Sequence, residues 1–258
     1  MRRYWIQKSQ IQSTDGAEAV VVFKDELFHH IFDVCRQEVG HHFEVLTEDS
    51  KAYLVEVTTR EKKQARAKVI EERTIPQLPR PHIHLALSIP RFPVMDSIIE
   101  RAVEMGVTSI LPFYSDYSFI RKASNLPSGK QERWQKIVIS ATQQCGRGEL
   151  LKIHEPIDWS GRAAFINPNN ESWCLFAYEG AGVLNIHDHL AAKKKALTIT
   201  PQDIWIIVGS EGGFSESEVV EMRQLGLDPV TLGSQVLRVE TACLTLVSVL
   251  KYEFELLK

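Results

Sequence analysis

The stretch Ile204-Trp205-Ile206-Ile207-Val208-Gly209-Ser210-Glu211-Gly212-Gly213-Phe214-Ser215-Glu216-Ser217-Glu218 decides the fold class. Its first five residues are a continuous apolar run without alternation, as expected of a strand covered on both faces of a parallel sheet. The run empties into a glycine cluster. Ser215 and Glu218 then have the spacing of a capping box, which starts a helix. In parallel sheets ligands bind beyond the carboxyl ends of strands, where this turn falls. Glycine lets a ligand approach the backbone closely and leaves N–H donors unobstructed. The same residues equally suit a tight strand-to-helix turn with no ligand. No Gly-Lys-Ser/Thr follows, so this is not a Walker loop, nor does it have the GxGxxG dinucleotide spacing.

The pattern recurs downstream in Leu232-Gly233-Ser234-Gln235-Val236-Leu237-Arg238-Val239-Glu240-Thr241-Ala242, where a short strand meets a glycine-containing loop and a helix opens. Two such loops in one sheet make a shared pocket. Arg238 with Glu240 also suits a plain surface ion pair. Around these segments the spacing predicts strands over 82–88, 108–113, 173–177 and 229–232. Helices are predicted over 93–105, 131–145, 215–225 and 240–257. Met95, Ile98, Ile99 and Ala102 share one helical face, and Gly106 is a natural stop. Alternation of this kind implies an α/β domain with a mostly parallel sheet.

The N-terminal part reads differently. Ala19-Val20-Val21-Val22-Phe23, His42-Phe43-Glu44-Val45-Leu46 and Ala52-Tyr53-Leu54-Val55-Glu56-Val57 are strand-like. A helix over 25–36 carries Leu27, Ile31 and Val34. A small β-barrel with one helix is the expectation. Pro76, Pro79 and Pro81 stiffen the segment that follows. The domains are therefore read as 1–73, a proline-rich linker 74–81, and 82–258.

Of the 258 residues 44% are hydrophobic and 24% charged, values that permit real cores, and the net charge is −3. Global charge neither supports nor excludes a nucleic-acid partner. The chain opens without the apolar stretch of a secretory signal, and no apolar run is long enough to span a bilayer. Cys35, Cys145, Cys174 and Cys243 are scattered, which suits a reducing cytoplasm. His29-His30, His41-His42, His82 with His84, and His187 with His189 lack the further ligands a metal needs, and no metal is expected. Arg60, Lys62, Lys63, Arg66 and Lys68, with Arg2 and Arg3, form a basic group suited to phosphates or simply to a solvated face. Lys193-Lys194-Lys195 is read as a solubilising loop.

The two glycine segments together resemble the paired motif of the ribosomal RNA small subunit methyltransferase E family, 16S rRNA (uracil-N3)-methyltransferases of the SPOUT superfamily. Met1-Arg2-Arg3-Tyr4-Trp5, His29-His30-Ile31 with Val34-Cys35-Arg36, Glu100 to Val107, and Gln143-Gln144-Cys145-Gly146-Arg147 resemble other family segments. The resemblance implies a C-terminal SPOUT domain with a deep trefoil knot, an N-terminal PUA-like β-barrel that holds RNA, and a homodimer. It implies S-adenosyl-L-methionine, leaving as S-adenosyl-L-homocysteine, held by Ala177, Gly209, Glu211, Gly212, Gly213, Leu232, Gly233, Leu237 and Arg238. Arg147 and Arg238 would meet the target nucleotide, and Glu211 or Glu240 would accept its proton or merely cap a helix. Arg2, Arg3, Arg36, Arg60, Lys62, Lys63, Arg66 and Lys68 would hold RNA. The implied partner is 16S rRNA within the small ribosomal subunit. The alternatives are a SPOUT enzyme acting at another RNA position and a catalytically silent RNA-binding or ribosome-assembly factor. The family pattern reads Gly-Pro-Glu-Gly-Gly, whereas this chain has Ser210 in place of the proline. Serine gives up proline's fixed φ, which implies a less preorganised loop.

Overall fold

The computed structural model describes residues 1–12, 18–164, 172–196 and 200–257. Contacts group the chain into two units, Met1–Gln77 with Ile139–Leu150, and Leu78–Val138 with Leu151–Lys258.

The first unit holds strands β1 (Arg3–Trp5), β2 (Ile11–Gln12), β3 (Val20–Lys24), β4 (His42–Thr47), β5 (Lys51–Arg60) and β6 (Gln64–Thr74). They form one sheet in the order β1-β4-β5-β6-β3-β2. Its pairings are antiparallel except for β1 beside β4. The β5–β6 register shifts between Leu54 and Val55 and again between Val57 and Thr59. Such bulges bend a ribbon and raise its twist. β6 is a strand that the basic composition of 60–68 conceals. The helix predicted over 25–36 is present as α1 (Asp25–Phe28) continued by wider π-helical turns over His29–Val34. It lays Phe28, Ile31 and Phe32 onto the inward sheet residues Phe23, Phe43, Val45 and Val55. Phe28 stacks on Phe32 at 5.2 Å, and Tyr4 meets Phe43 edge-on at 5.0 Å. Each fully buried side chain of this size contributes about 1.5–3 kcal/mol. Segment 139–150 belongs here through long-range bonds: Arg3 Nη1 donates to the Gln144 carbonyl at 3.1 Å and Ser50 Oγ to the Gly148 carbonyl at 3.3 Å.

The second unit contains β7 (His82–Ser88), α2 (Phe92–Glu104), β8 (Ser109–Tyr114), most of α3 (Lys130–Cys145), β9 (Lys152–Ile153), β10 (Ile157–Asp158), β11 (Ser172–Ala177), β12 (Leu184–Asn185), α4 (Ile186–Ala196), β13 (Asp203–Val208), α5 (Glu216–Gln224), β14 (Pro229–Thr231) and α6 (Val239–Glu253). The sheet order is β10-β8-β7-β13-β11-β14-β12, with β9 also on β8. Every pairing between these strands is parallel. β13 lies between β7 and β11, and Ile204, Ile206, Ile207 and Val208 are buried. The uninterrupted apolar run is thus explained by cover on both faces. Met95, Ile98, Ile99, Ala102 and Val103 are the buried face of α2, which packs on α6. Gly106, at φ +74°, ends that helix in a conformation that costs glycine little.

Two expectations need correction. Lys193, Lys194 and Lys195 lie not in a loop but in the last turn of α4, where cations complement the helix dipole. The closing helix stops at Glu253 and does not reach 257, because Phe254 caps it and Glu255 turns to φ +55°.

Candidate functional site

Ala177, Val208 and Thr231, the last residues of the neighbouring parallel strands β11, β13 and β14, line one cleft. Its volume is about 280 Å³, near the lower end of the roughly 300–1,000 Å³ usual for small-molecule sites. The walls are Ala177, Tyr178, Glu179 and Gly180 after β11, then Val208, Gly209, Ser210, Gly212, Gly213 and Phe214 after β13. Val230, Thr231, Leu232, Gln235, Leu237, Val239 and Ala242 close it from β14 into the first turn of α6. Most of the lining is apolar or bare backbone, with Glu179, Thr231 and Gln235 as polar points, a mixture that suits a nucleoside. The first turn of α6 adds N–H groups without intrahelical partners.

The turn after β13 is built from its residues upward. A Cβ on Gly209 would stand 2.9 Å from the Cα of Gly213, so the two glycines allow the chain to fold back on itself. Gly213 has φ +69° with open space where a Cβ would point, and its N–H donates to the Ser210 carbonyl at 2.9 Å. Gly212 lies against Tyr117, and a Cβ there would be 2.8 Å from the tyrosine Cβ. Ser210, where the family pattern has proline, donates from Oγ to the Tyr117 carbonyl at 2.6 Å. That hydroxyl tethers the loop in a way proline lacks. Phe214 pins the far end, edge-on to Phe176 at 5.1 Å. The capping box is present: Ser215 Oγ accepts from the Glu218 N–H, and Glu218 Oε2 accepts from the Ser215 N–H at 2.9 Å. Glu218 Oε1 also accepts from the Asp116 N–H at 3.0 Å. Burial pushes the Glu218 carboxyl above the usual carboxylate range despite these bonds. The glycine turn is therefore a cradle whose backbone is exposed to the cleft and braced behind.

Six of the sequence-predicted cofactor residues meet here: Ala177, Gly209, Gly212, Gly213, Leu232 and Leu237. Glu211, Gly233 and Arg238 are not in the lining, although each adjoins residues that are. Glu211 accepts from both the backbone N–H and Nε of Arg91, at 3.2 and 3.1 Å. Arg238 is exposed and occupies the N-cap of α6, with Glu240 in the first turn behind it. No ion pair joins Arg238 to Glu240 among the described residues. Arg147 lies in the segment grouped with the first unit, and burial lowers the pKa of its guanidinium. Tyr178, Glu179 and Gly180 were missed by sequence reasoning. The signal was available, since Glu179-Gly180 follows a strand just as the other two loops do.

Some of the basic residues of the first unit are already paired. Arg3 pairs with Glu44 at 3.0 Å, Arg60 with Asp33 at 3.0 Å and Lys68 with Glu56 at 2.9 Å. Burial opposes ionisation of Glu44, yet Arg73 and Arg3 hold its carboxyl below the usual range. Arg2 donates to the Cys35 carbonyl at 2.8 Å. Arg36, Lys62, Lys63 and Arg66 are exposed and make no ion pair among the described residues. Burial pushes the Cys174 and Cys243 thiols up to about 12, so neither is a thiolate near neutral pH. Among the described residues no group of three or more His, Cys, Asp or Glu is placed to hold a metal ion, and no helix is long and apolar enough to cross a membrane.

Residues 76–251 match the family described as an RNA methyltransferase domain, and residues 23–70 match one described as an RNA methyltransferase PUA domain. The ribosomal RNA small subunit methyltransferase E of Buchnera aphidicola is 30% identical over 235 residues, covering 89% of this chain and 87% of its own. That of Aquifex aeolicus is 31% identical over 222 residues, covering 85% and 89%. The Neisseria gonorrhoeae ribosomal RNA small subunit methyltransferase E, solved with S-adenosyl methionine, superposes with a TM-score of 0.78 at 28% identity, covering 98% and 97% of the two chains. A Legionella pneumophila methyltransferase, solved with the same cofactor, gives 0.80 at 25% identity, covering 98% of each. With two glycine turns meeting in one cleft and these relatives matched along most of its length, the chain belongs to the ribosomal RNA small subunit methyltransferase E family.

Proposed function

We propose that this protein methylates N3 of a specific uridine in 16S ribosomal RNA of the small ribosomal subunit, using S-adenosyl-L-methionine. The observation that carries the reading is the cleft lined by the turns 209–213 and 231–237, which follow the two parallel strands on either side of β11. The cofactor supplies an electrophilic methyl group on a sulfonium and leaves as S-adenosyl-L-homocysteine. Gly209, Gly212 and Gly213 offer it backbone at close range, and Leu232, Leu237 and Ala177 offer it apolar surface. Glu211, Gly233 and Arg238 border the same wall.

Neutral uracil N3 is a poor nucleophile and must lose its proton. Arg238, between the lining residues Leu237 and Val239, is assigned to stabilise the negative charge that develops on the base. Arg147 shares that assignment on the motif it belongs to. Glu240 is the better proton acceptor, since Glu211 is held by Arg91. The cleft's part is to align the reacting atoms, which is most of what methyl transfer from a sulfonium needs.

The remaining assignments form one reading. Residues 1–73 act as a PUA-like barrel that holds RNA through Arg2, Arg3, Arg36, Arg60, Lys62, Lys63, Arg66 and Lys68, and 74–81 is the linker. Residues 82–258 form a SPOUT domain with a deep trefoil knot, and the enzyme works as a homodimer in the cytoplasm. Calorimetric titration with S-adenosyl-L-methionine tests the cleft, and the absence of saturable binding would remove the methyltransferase reading. Nucleoside mass spectrometry tests the position: 16S rRNA from a strain lacking the enzyme should gain 3-methyluridine on incubation with the protein. Methylation elsewhere would overturn the N3 assignment.

A further inference from the structure

The turn that braces the cleft from behind also presents an open surface. Tyr117 is 48% exposed and Phe119 51%, although both belong to a well-fastened segment. Ser88, Ser115 and Ser118 hydroxyls bond one another at 2.6–3.0 Å beneath it, and the Phe119 N–H donates to the Ile89 carbonyl at 2.8 Å. Phe119 sits edge-on to Phe92 at 5.4 Å, and Lys130 Nζ lies 3.9 Å above the Phe92 ring. Neighbouring exposed aromatic rings on a rigid turn are unusual for a surface with nothing to bind.

The charge around them is equally one-sided. Residues 116–136 carry Arg121, Lys122, Lys130, Arg133 and Lys136 against Asp116 and Glu132, in a chain whose net charge is −3, and of these cations Arg133 is paired with Asp96 at 2.8 Å. Arg121 and Lys122 are exposed and make no side-chain hydrogen bond or ion pair among the described residues, unlike Arg3, Arg60 and Lys68 of the first unit. The surface is also joined to the cleft wall. Tyr117 touches Gly212 and accepts from Ser210, while the exposed Arg91 reaches Glu211.

We propose that Arg91, Tyr117, Phe119, Arg121 and Lys122 form a seat for single-stranded RNA at the rim of the cleft, with bases stacked on the rings and phosphates on the cations. This inference rests on the methyltransferase reading and names where the substrate strand enters. Unpaired bases stack on aromatic faces whatever their identity, and cations beside the rings follow the backbone. A strand seated on Tyr117 lies one residue's width from the glycine turn, so a nucleotide leaving the stack there is delivered to the cleft.

The test uses the full chain, a fluorescein-labelled single-stranded RNA oligonucleotide containing uridines, and S-adenosyl-L-methionine. Tyr117→Ala keeps the Cβ against Gly212 and the carbonyl that Ser210 uses, so cofactor affinity and unfolding should match wild type. RNA affinity should fall about tenfold, the lower range for loss of one stacked base. Tyr117→Phe should restore it. The double variant Arg121→Ala/Lys122→Ala should flatten the dependence of log Kd on log salt by about 0.7 per lost phosphate contact. No measurable RNA binding by wild type, or unchanged affinity and slope in the folded variants, overturns the proposal. So does a variant that shifts sedimentation toward monomer while RNA affinity holds, because the rings would then cover a second copy of the chain. RNA binding that depends on this rim without any methyl transfer would sink the functional reading and leave the seat standing.

Discussion

Replacing Gly209 by alanine adds one methyl group at the point where the cleft wall folds back on itself. The new Cβ would stand 2.9 Å from both the Cα and the carbonyl carbon of Gly213, and 3.0 Å from its oxygen. Those neighbours are backbone, so no side chain can swing aside and the turn itself must open. Gly209 is not in the left-handed region, so the cost is steric and not conformational. Overpacking of this kind costs about 1–3 kcal/mol. If the turn relaxes in the free protein and closes on the cofactor, that strain reappears in binding. At about 1.4 kcal/mol per decade it predicts a 5- to 140-fold loss of S-adenosyl-L-methionine affinity, read by calorimetric titration. Gly226→Ala is the control: Gly226 has φ +79°, has nothing near its Cβ position and does not line the cleft. It should lose about 1–2 kcal/mol of stability in urea unfolding with cofactor affinity unchanged. A folded Gly209→Ala protein that binds the cofactor within twofold of wild type would refute the reasoning.

Ser210→Ala removes the 2.6 Å bond to the Tyr117 carbonyl and should lower unfolding stability by about 1 kcal/mol; an unchanged urea midpoint would show that the hydroxyl tethers nothing. Arg238→Ala should cut turnover by roughly 10²–10³ while cofactor affinity stays near wild type, and equal loss of both would contradict a role on the nucleotide. Burial lowers the His84 pKa, with Asp203 opposing through a 3.0 Å contact and His82 adding to the depression. A depressed histidine contributes stability that is present above its ordinary value near 6.5 and lost as pH falls through its folded value. Urea unfolding between pH 7.5 and 5.5 should therefore weaken toward acid, and His84→Gln should flatten that limb, leaving the part due to His154 and His189, whose pKa values burial also lowers. An identical pH profile for the variant would exclude His84 as a source.

Much of the architecture was legible because it depends on local pattern. The run from Ile204 to Val208 read as a strand covered on both faces, and the Ser215–Glu218 spacing marked the start of α5. β6 escaped notice because its outer positions are charged and its inner ones, Ala65 and Ala67, are small. The lysines at 193–195 looked like a loop because composition cannot tell a solvated helix turn from a connector. Within the site, glycine spacing pointed to two of the three turns that form the cleft. Glu211 drew attention for its place in the motif, whereas its carboxylate is taken up by Arg91, which lies 120 residues away in sequence.

The family and the class of most segments were readable from local pattern, since hydrophobic period, caps and glycine spacing act over neighbouring residues. Long-range contacts settled which loops face one another, which cations are already paired, and that Tyr117, 93 residues away in sequence, braces the turn through Ser210. Those outcomes depend on strand order and on contacts between residues far apart in the chain. No local pattern encodes a pairing whose distance is set by the folding of everything in between.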